Sequence, residues 1–121
     1  MEAQTEAQAG RHQETLDKLE RMVGYLAQDP ENPPLLLEVI DLCLETGQVA
    51  CARETLNSAR SLFPEDVFIR QREGHVLMAE GNWLAASAIF ERLHQQHPDA
   101  ALAYNLGYAY FRLARYADAQ G

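Results

Sequence analysis

The feature that most constrains this chain is a self-similarity at a fixed offset of 34 residues. At that offset Pro30, Pro64 and Pro98 coincide. Gly47 coincides with Gly81, Ala52 with Ala86, and Leu56 with Phe90. Val49 falls opposite Trp83, apolar on apolar. Agreements spread along a unit of this length indicate one supersecondary element repeated, with each copy too small to bury its apolar face alone.

Each unit reads as two helices. In the second, "DVFIRQREGHVLMAE" places Phe68, Ile69, Val76, Leu77 and Met78 at helical spacing, with Asp66 as N-cap. Gly81 supplies the left-handed residue that ends a helix at little cost. "LAASAIFERLHQQ" is the second helix, and Pro98 stops it, having no N–H to donate. In the first unit, helix one spans about 33 to 46, opened by Pro33 and Pro34, which suit a first turn. Gly47 makes the turn, and helix two runs to about Phe63.

Two partial units flank these. Upstream, Leu16, Leu19, Met22, Val23 and Leu26 form one face of a helix at 15–29, with 1–14 a polar segment, partly helical or disordered. Downstream, residues 100–121 read as a first helix, a turn and the start of a second. The expected organisation is a single domain over 15–121, with repeats at 33–66 and 67–99 and a partial repeat at 100–121. An end inside a helix suggests a piece of a longer protein.

These residues resemble the tetratricopeptide repeat family, whose 34-residue helix–turn–helix unit follows the pattern W-x2-L-G-x2-Y…A-x3-F…P. Gly74, Leu77, Gly81, Ala86, Phe90 and Pro98 fall on it, as do Leu106, Gly107, Tyr110, Tyr116 and Ala119. Val39, Cys43, Gly47, Ala52, Leu56 and Pro64 match in the first unit. Ile40 replaces a usual small glycine, Arg70 and Glu73 stand at usually apolar positions, and the loop after Pro98 is a residue shorter. The resemblance implies an all-α array of helical hairpins, a short α-solenoid. It also implies that Gly74 and Ala86 meet where two helices cross, with Trp83 and Phe90 filling space beside them.

The family's inner face is lined mainly by the first helix of each unit. The resemblance therefore implies a concave groove of Leu37, Asp41, Leu44 and Glu45, then Phe68, Gln71, His75 and Met78, then Tyr104, Tyr108, Phe111 and Arg112. Such a surface suits a peptide or partner helix with apolar anchors. The carboxylate clamps of some relatives need clustered Lys, Asn and Arg, and among these positions only Arg112 is basic. The alternative is that these side chains are packing surface of a longer scaffold, or of a homo-oligomer formed through the C-terminal repeat.

Other classes are disfavoured. A formal net charge of −8 argues against nucleic acid or an anionic membrane as partner. No run approaches the roughly 18 apolar residues of a membrane span, and the opening "MEAQTEAQAG" is no signal peptide. Cys43 and Cys51 are too few for a disulfide framework and read as packed, reduced thiols, which with the missing signal favours the cytoplasm. Glu91, His94 and His97 in "ERLHQQH" are the best metal candidates, but their spacing is poor for zinc. Asp41 and Glu45 read as an acidic patch, and no nucleophile lies beside a base and an orienting group. The chain is expected to be non-enzymatic, with no cofactor and no metal.

Overall fold

A computed structural model describes the backbone of residues 2–120 and the side chains of residues 8–115. The fold is all-α: helices α1 (Glu2–Gln28), α2 (Pro33–Glu45), α3 (Val49–Leu62), α4 (Val67–Ala79), α5 (Trp83–Gln96) and α6 (Ala100–Gln120). No strand occurs among the described residues. The chain divides into two compact units, Met1–Leu62 and Phe63–Gly121, where the sequence suggested one domain.

Helix starts follow their caps. Asn32 accepts from the Leu35 N–H at 3.2 Å ahead of Pro33 and Pro34 in the first turn of α2. Asp66 accepts from Phe68 N at 2.9 Å and Ile69 N at 3.1 Å, satisfying two donors that the helix itself leaves orphaned. Asp66→Ala is expected to cost about 1 kcal/mol in thermal or denaturant unfolding, while Asp66→Asn should be nearly silent. Asp99 caps α6 in the same way, accepting from Ala101 N at 2.7 Å. Asp66 follows Pro64 by two positions and Asp99 follows Pro98 directly, so the shorter loop lost its residue between proline and cap.

Both hairpin turns are closed by glycine. Gly47 has φ 76° and Gly81 φ 79°. Beyond them Gln48 N donates to Cys43 O at 2.8 Å and Asn82 N to Leu77 O at 2.9 Å, the six-to-one bond that ends a helix on a left-handed residue.

Two readings from sequence need correction. Residues 1–14 are no separate segment, because α1 is continuous from Glu2. Its early turns are rich in Ala, Glu and Gln, all strong helix formers. The turn expected within 100–121 is also absent, since α6 is unbroken to Gln120. Allowing for the shorter loop, Ala114 stands where Gly81 would, and alanine favours continuing the helix over a left-handed stop. The side chains of Tyr116 and Ala119, placed on the repeat pattern from sequence, lie outside the described residues.

In the first unit α2 lies between α1 and α3. Leu19, Leu36, Val39, Ile40, Leu56 and Ala52 are buried, whereas Val23, expected on the apolar face of α1, is exposed. Lys18 and Glu38 pair at 3.0 Å between α1 and α2; both side chains are substantially exposed, so the pair contributes little.

In the second unit α5 packs between α4 and α6. Ala86, Phe90, Leu93 and Leu102 form its core, with Leu77, Met78, Ile89 and Leu106 against it. The atoms nearest to a side chain at Gly74 belong to Phe90. A Cβ added at Gly74 would lie 2.6 Å from Phe90 Cζ and 2.7 Å from Cε1. The glycine is there because a ring occupies the space of a side chain.

Candidate functional site

The N-terminal end of α4, the C-terminal end of α5 and the start of α6 enclose a cavity of about 390 Å³. Its wall is largely apolar, from Val67, Phe68, Leu93, Pro98 and Leu102, with Gln71, His97 and Asp99 as polar members. Phe68 is 61% exposed beside it. The caps explain this geometry. Asp66 starts α4 with Val67 and Phe68 in its first turn, and Asp99 starts α6 with Leu102 in its own.

The expected groove residues of the second unit fall into three groups. Phe68, Tyr104 and Phe111 are exposed, at 61%, 74% and 54%. Gln71, His75 and Met78 are half-buried. Gln71 lines the cavity, His75 packs edge-on against Phe90 with centroids 5.4 Å apart, and Met78 leans on the core.

Tyr108 and Arg112 form the third group. The Tyr108 ring meets Trp83 edge-on at 6.0 Å, and the Arg112 guanidinium lies 4.9 Å from the centroid of the same indole. Both side chains are therefore engaged with α5 rather than standing open, although Tyr108 keeps 40% of its surface exposed. Arg115 lies over Phe111 in the same manner, at 5.7 Å. Such contacts contribute about 0.5–1 kcal/mol at exposed sites.

In the first unit Leu37, Asp41 and Leu44 are half-buried and Glu45 is exposed, all on α2. Sequence reasoning overlooked the cavity residues Val67, Leu93, His97, Pro98, Asp99 and Leu102. Pro98 was read only as a helix stop and His97 only as a metal candidate, and three helix ends packed together put these residues round one space.

Two of the three metal candidates have other partners, and His97 lines the cavity. Glu91 accepts from the Tyr110 hydroxyl at 3.2 Å, and His94 Nδ1 accepts from Asp99 N at 3.4 Å. Among the described residues no three His, Cys, Asp or Glu side chains are grouped to hold a metal ion. Both cysteines are free, Cys43 buried and Cys51 partly exposed. Burial, reinforced by Cys51, pushes the Cys43 thiol up to about 12.

A run of capped helical hairpins closed on left-handed glycines, with aromatic side chains exposed on the first helix of a hairpin, defines a helical-repeat protein. A family model, tetratricopeptide repeat, matches residues 6–68, just over half of the chain. The chain belongs to the tetratricopeptide repeat family, whose members generally act as protein–protein interaction modules and are typically non-enzymatic. The match begins near the start of α1, upstream of residue 15, where the expected repeat domain starts. No curated protein matches the chain. Among the described residues no helix is long and apolar enough to cross a membrane.

Proposed function

We propose that this protein is a peptide-binding repeat module whose second unit takes an apolar side chain of its partner into the cavity between α4, α5 and α6. One observation carries the reading: a largely apolar cavity of about 390 Å³ with an exposed phenylalanine on its wall. That volume lies within the range of ligand pockets and suits one or two anchoring side chains. Tyr104 and Phe111 extend the apolar surface along α6, offering contact area at low ordering cost. Gln71, His97 and Asp99 supply polar groups that orient a backbone. On α2 of the first unit, Leu37, Asp41, Leu44 and Glu45 are further, more acidic candidates for partner contact.

A second reading keeps a specific foothold. Tyr108 and Arg112 are already committed to Trp83, so part of α6 acts as packing surface, as in a segment of a longer scaffold or a homo-oligomer.

The two readings separate in one experiment. A displayed random peptide library is selected on the full chain, and the recovered peptides are measured against Phe68→Ala/Tyr104→Ala. Peptides sharing an apolar anchor, with affinity lowered at least about tenfold by the double variant, are expected. Both side chains are exposed, so the melting curve should move by no more than about 0.5 kcal/mol. Peptides indifferent to the change, or a lost oligomer with a clear fall in stability, would transfer the residues to self-packing.

A further inference from the structure

We propose that two copies of this chain pair as an antiparallel dimer through the outer face of α6, the Tyr108 ring of each copy standing over Gly107 of the other. This rests on the reading of α6 as packing surface and is independent of peptide capture in the cavity.

The periodicity of α6 defines the face. Leu102 and Leu106 belong to the core with Ala86, Phe90 and Leu93 of α5, and Ala109 is fully buried. Tyr104, Gly107, Tyr108, Phe111 and Arg115 recur on the opposite side at i, i+3, i+4, i+7 and i+11, and all five are exposed. A contiguous, largely aromatic stripe of this kind marks an interaction surface.

The volumes on it are complementary to themselves. Within the second unit the chain already covers one helical glycine with a ring, Phe90 over Gly74. Gly107 stands at the matching place of the next repeat, and a Cβ there would meet nothing within 4 Å. Beside it, Tyr108 is held edge-on to Trp83 at 6.0 Å and stays 40% exposed, so the open part of its ring is presented in one pose. An antiparallel two-fold centred between positions 107 and 108 sets each ring over the other copy's glycine. The same operation lays each Phe111 against the other copy's Tyr104, two further aromatic pairs. An isologous interface requires a patch that fits itself in this way.

Charge selects the same partner and the same sense. The formal net charge of the chain is −8, yet between Ala100 and Arg115 it carries two arginines and no acidic residue. An acidic second copy meets least repulsion here. Antiparallel pairing brings Arg115 to the start of the other copy's α6. There the carboxylate of Asp99, which caps that helix, outweighs the roughly half positive charge of the helix end. The arginines of the two copies stay at opposite ends, whereas parallel pairing would set them side by side. One helix against one helix covers less than a standard interface of roughly 1,600 Å², so a weak dimer dissociating in the micromolar range is expected. Peptide binding measured well below that range sees the single chain, with Tyr104 open.

The test follows the full chain by sedimentation velocity across the micromolar range, beside Gly107→Gln and Tyr108→Ala. The parent should pass from monomer to dimer as concentration rises. Gly107→Gln should raise the dissociation constant at least about tenfold, by filling the space the ring needs. Its melting temperature at low concentration should hold or rise, because glutamine is the better helix former and the space around position 107 is open. Tyr108→Ala should also weaken the dimer. An equal mixture of the two variants should associate more tightly than either alone, since one contact of the mixed dimer is native and the other pairs glutamine with alanine. A chain monomeric at every concentration overturns the proposal and removes self-association from the packing reading. A dimer indifferent to Gly107→Gln, or a mixture no tighter than its components, overturns this pairing and leaves self-association to another face. Gly107→Gln decides by itself if Tyr108→Ala fails to fold.

Discussion

Phe90→Ala is expected to remove about 3–5 kcal/mol of stability, the usual range for truncating a fully buried phenylalanine. Phe90 is the largest of the fully buried side chains and belongs to the core formed with Ala86, Leu93 and Leu102. Its ring also covers Gly74 and takes the edge of His75. Truncation would leave a ring-sized void that a glycine cannot fill, so collapse from the α4 side is limited. The void costs lost dispersion contacts as well as lost burial. Native proteins are stable by only about 5–15 kcal/mol, so the expected change is a large share of the total. Urea unfolding followed by circular dichroism checks it. The midpoint should fall with an unchanged denaturant slope, and Phe90→Leu should retain more than half of the loss. A midpoint within experimental scatter of the parent would show that the ring does not hold α4 and α5 together.

The second large effect comes from the other side of the same contact. Gly74→Val should destabilise by roughly 3 kcal/mol, at the upper end for overpacking. A Cβ at Gly74 would sit 2.6 Å from the ring, closer than real Cβ atoms come, and the ring is enclosed on its other sides. Removing a helical glycine returns up to about 1 kcal/mol, less for a β-branched residue, and does not offset that clash. If the space is truly shared, the double variant Gly74→Val/Phe90→Leu should recover much of the loss. The cycle would then show a coupling of about 1–3 kcal/mol between the two positions. Additive losses would mean that the valine acts through the backbone and leaves Phe90 untouched.

This contact shows where a repeat pattern stops short of a structure. The family pattern marked Gly74 and Phe90 as special positions, one small and one large. It did not pair them. The expectation set Gly74 against Ala86 with Phe90 beside them, and the structure puts the Phe90 ring directly over Gly74. Helix crossings are filled by complementary volumes as well as by close backbones, and one-dimensional spacing does not distinguish these solutions. The same holds for Tyr108 and Arg112, which the family's geometry assigns to an open face. Trp83 is near them in space but far in sequence, so the indole that engages both was invisible from the spacing of α6 alone.

Local chemistry, by contrast, was readable. Asp66, Gly47, Gly81, Pro33 and Pro34 each act within a few residues of themselves, by accepting from a nearby N–H, by allowing a positive φ, or by presetting the first turn. Where the local signal was missing, the reading failed in an instructive way. Nothing at Ala114 ends a helix, and α6 continues to Gln120. Apart from Gly10, the Ala-, Glu- and Gln-rich start of the chain favours a helix, and α1 begins at Glu2.

By itself the sequence determined the all-α class, the positions of both glycine turns, the cap at Asp66 and membership of a helical-repeat family. These depend on short-range hydrogen bonding, backbone strain and periodic burial, which are encoded within a turn or two of chain. Only the tertiary structure decided that Phe90 fills the place of a side chain at Gly74, that Trp83 engages Tyr108 and Arg112, and that three helix ends line one cavity. Each of these joins residues brought together by packing between helices, and packing depends on the volumes of several side chains at once.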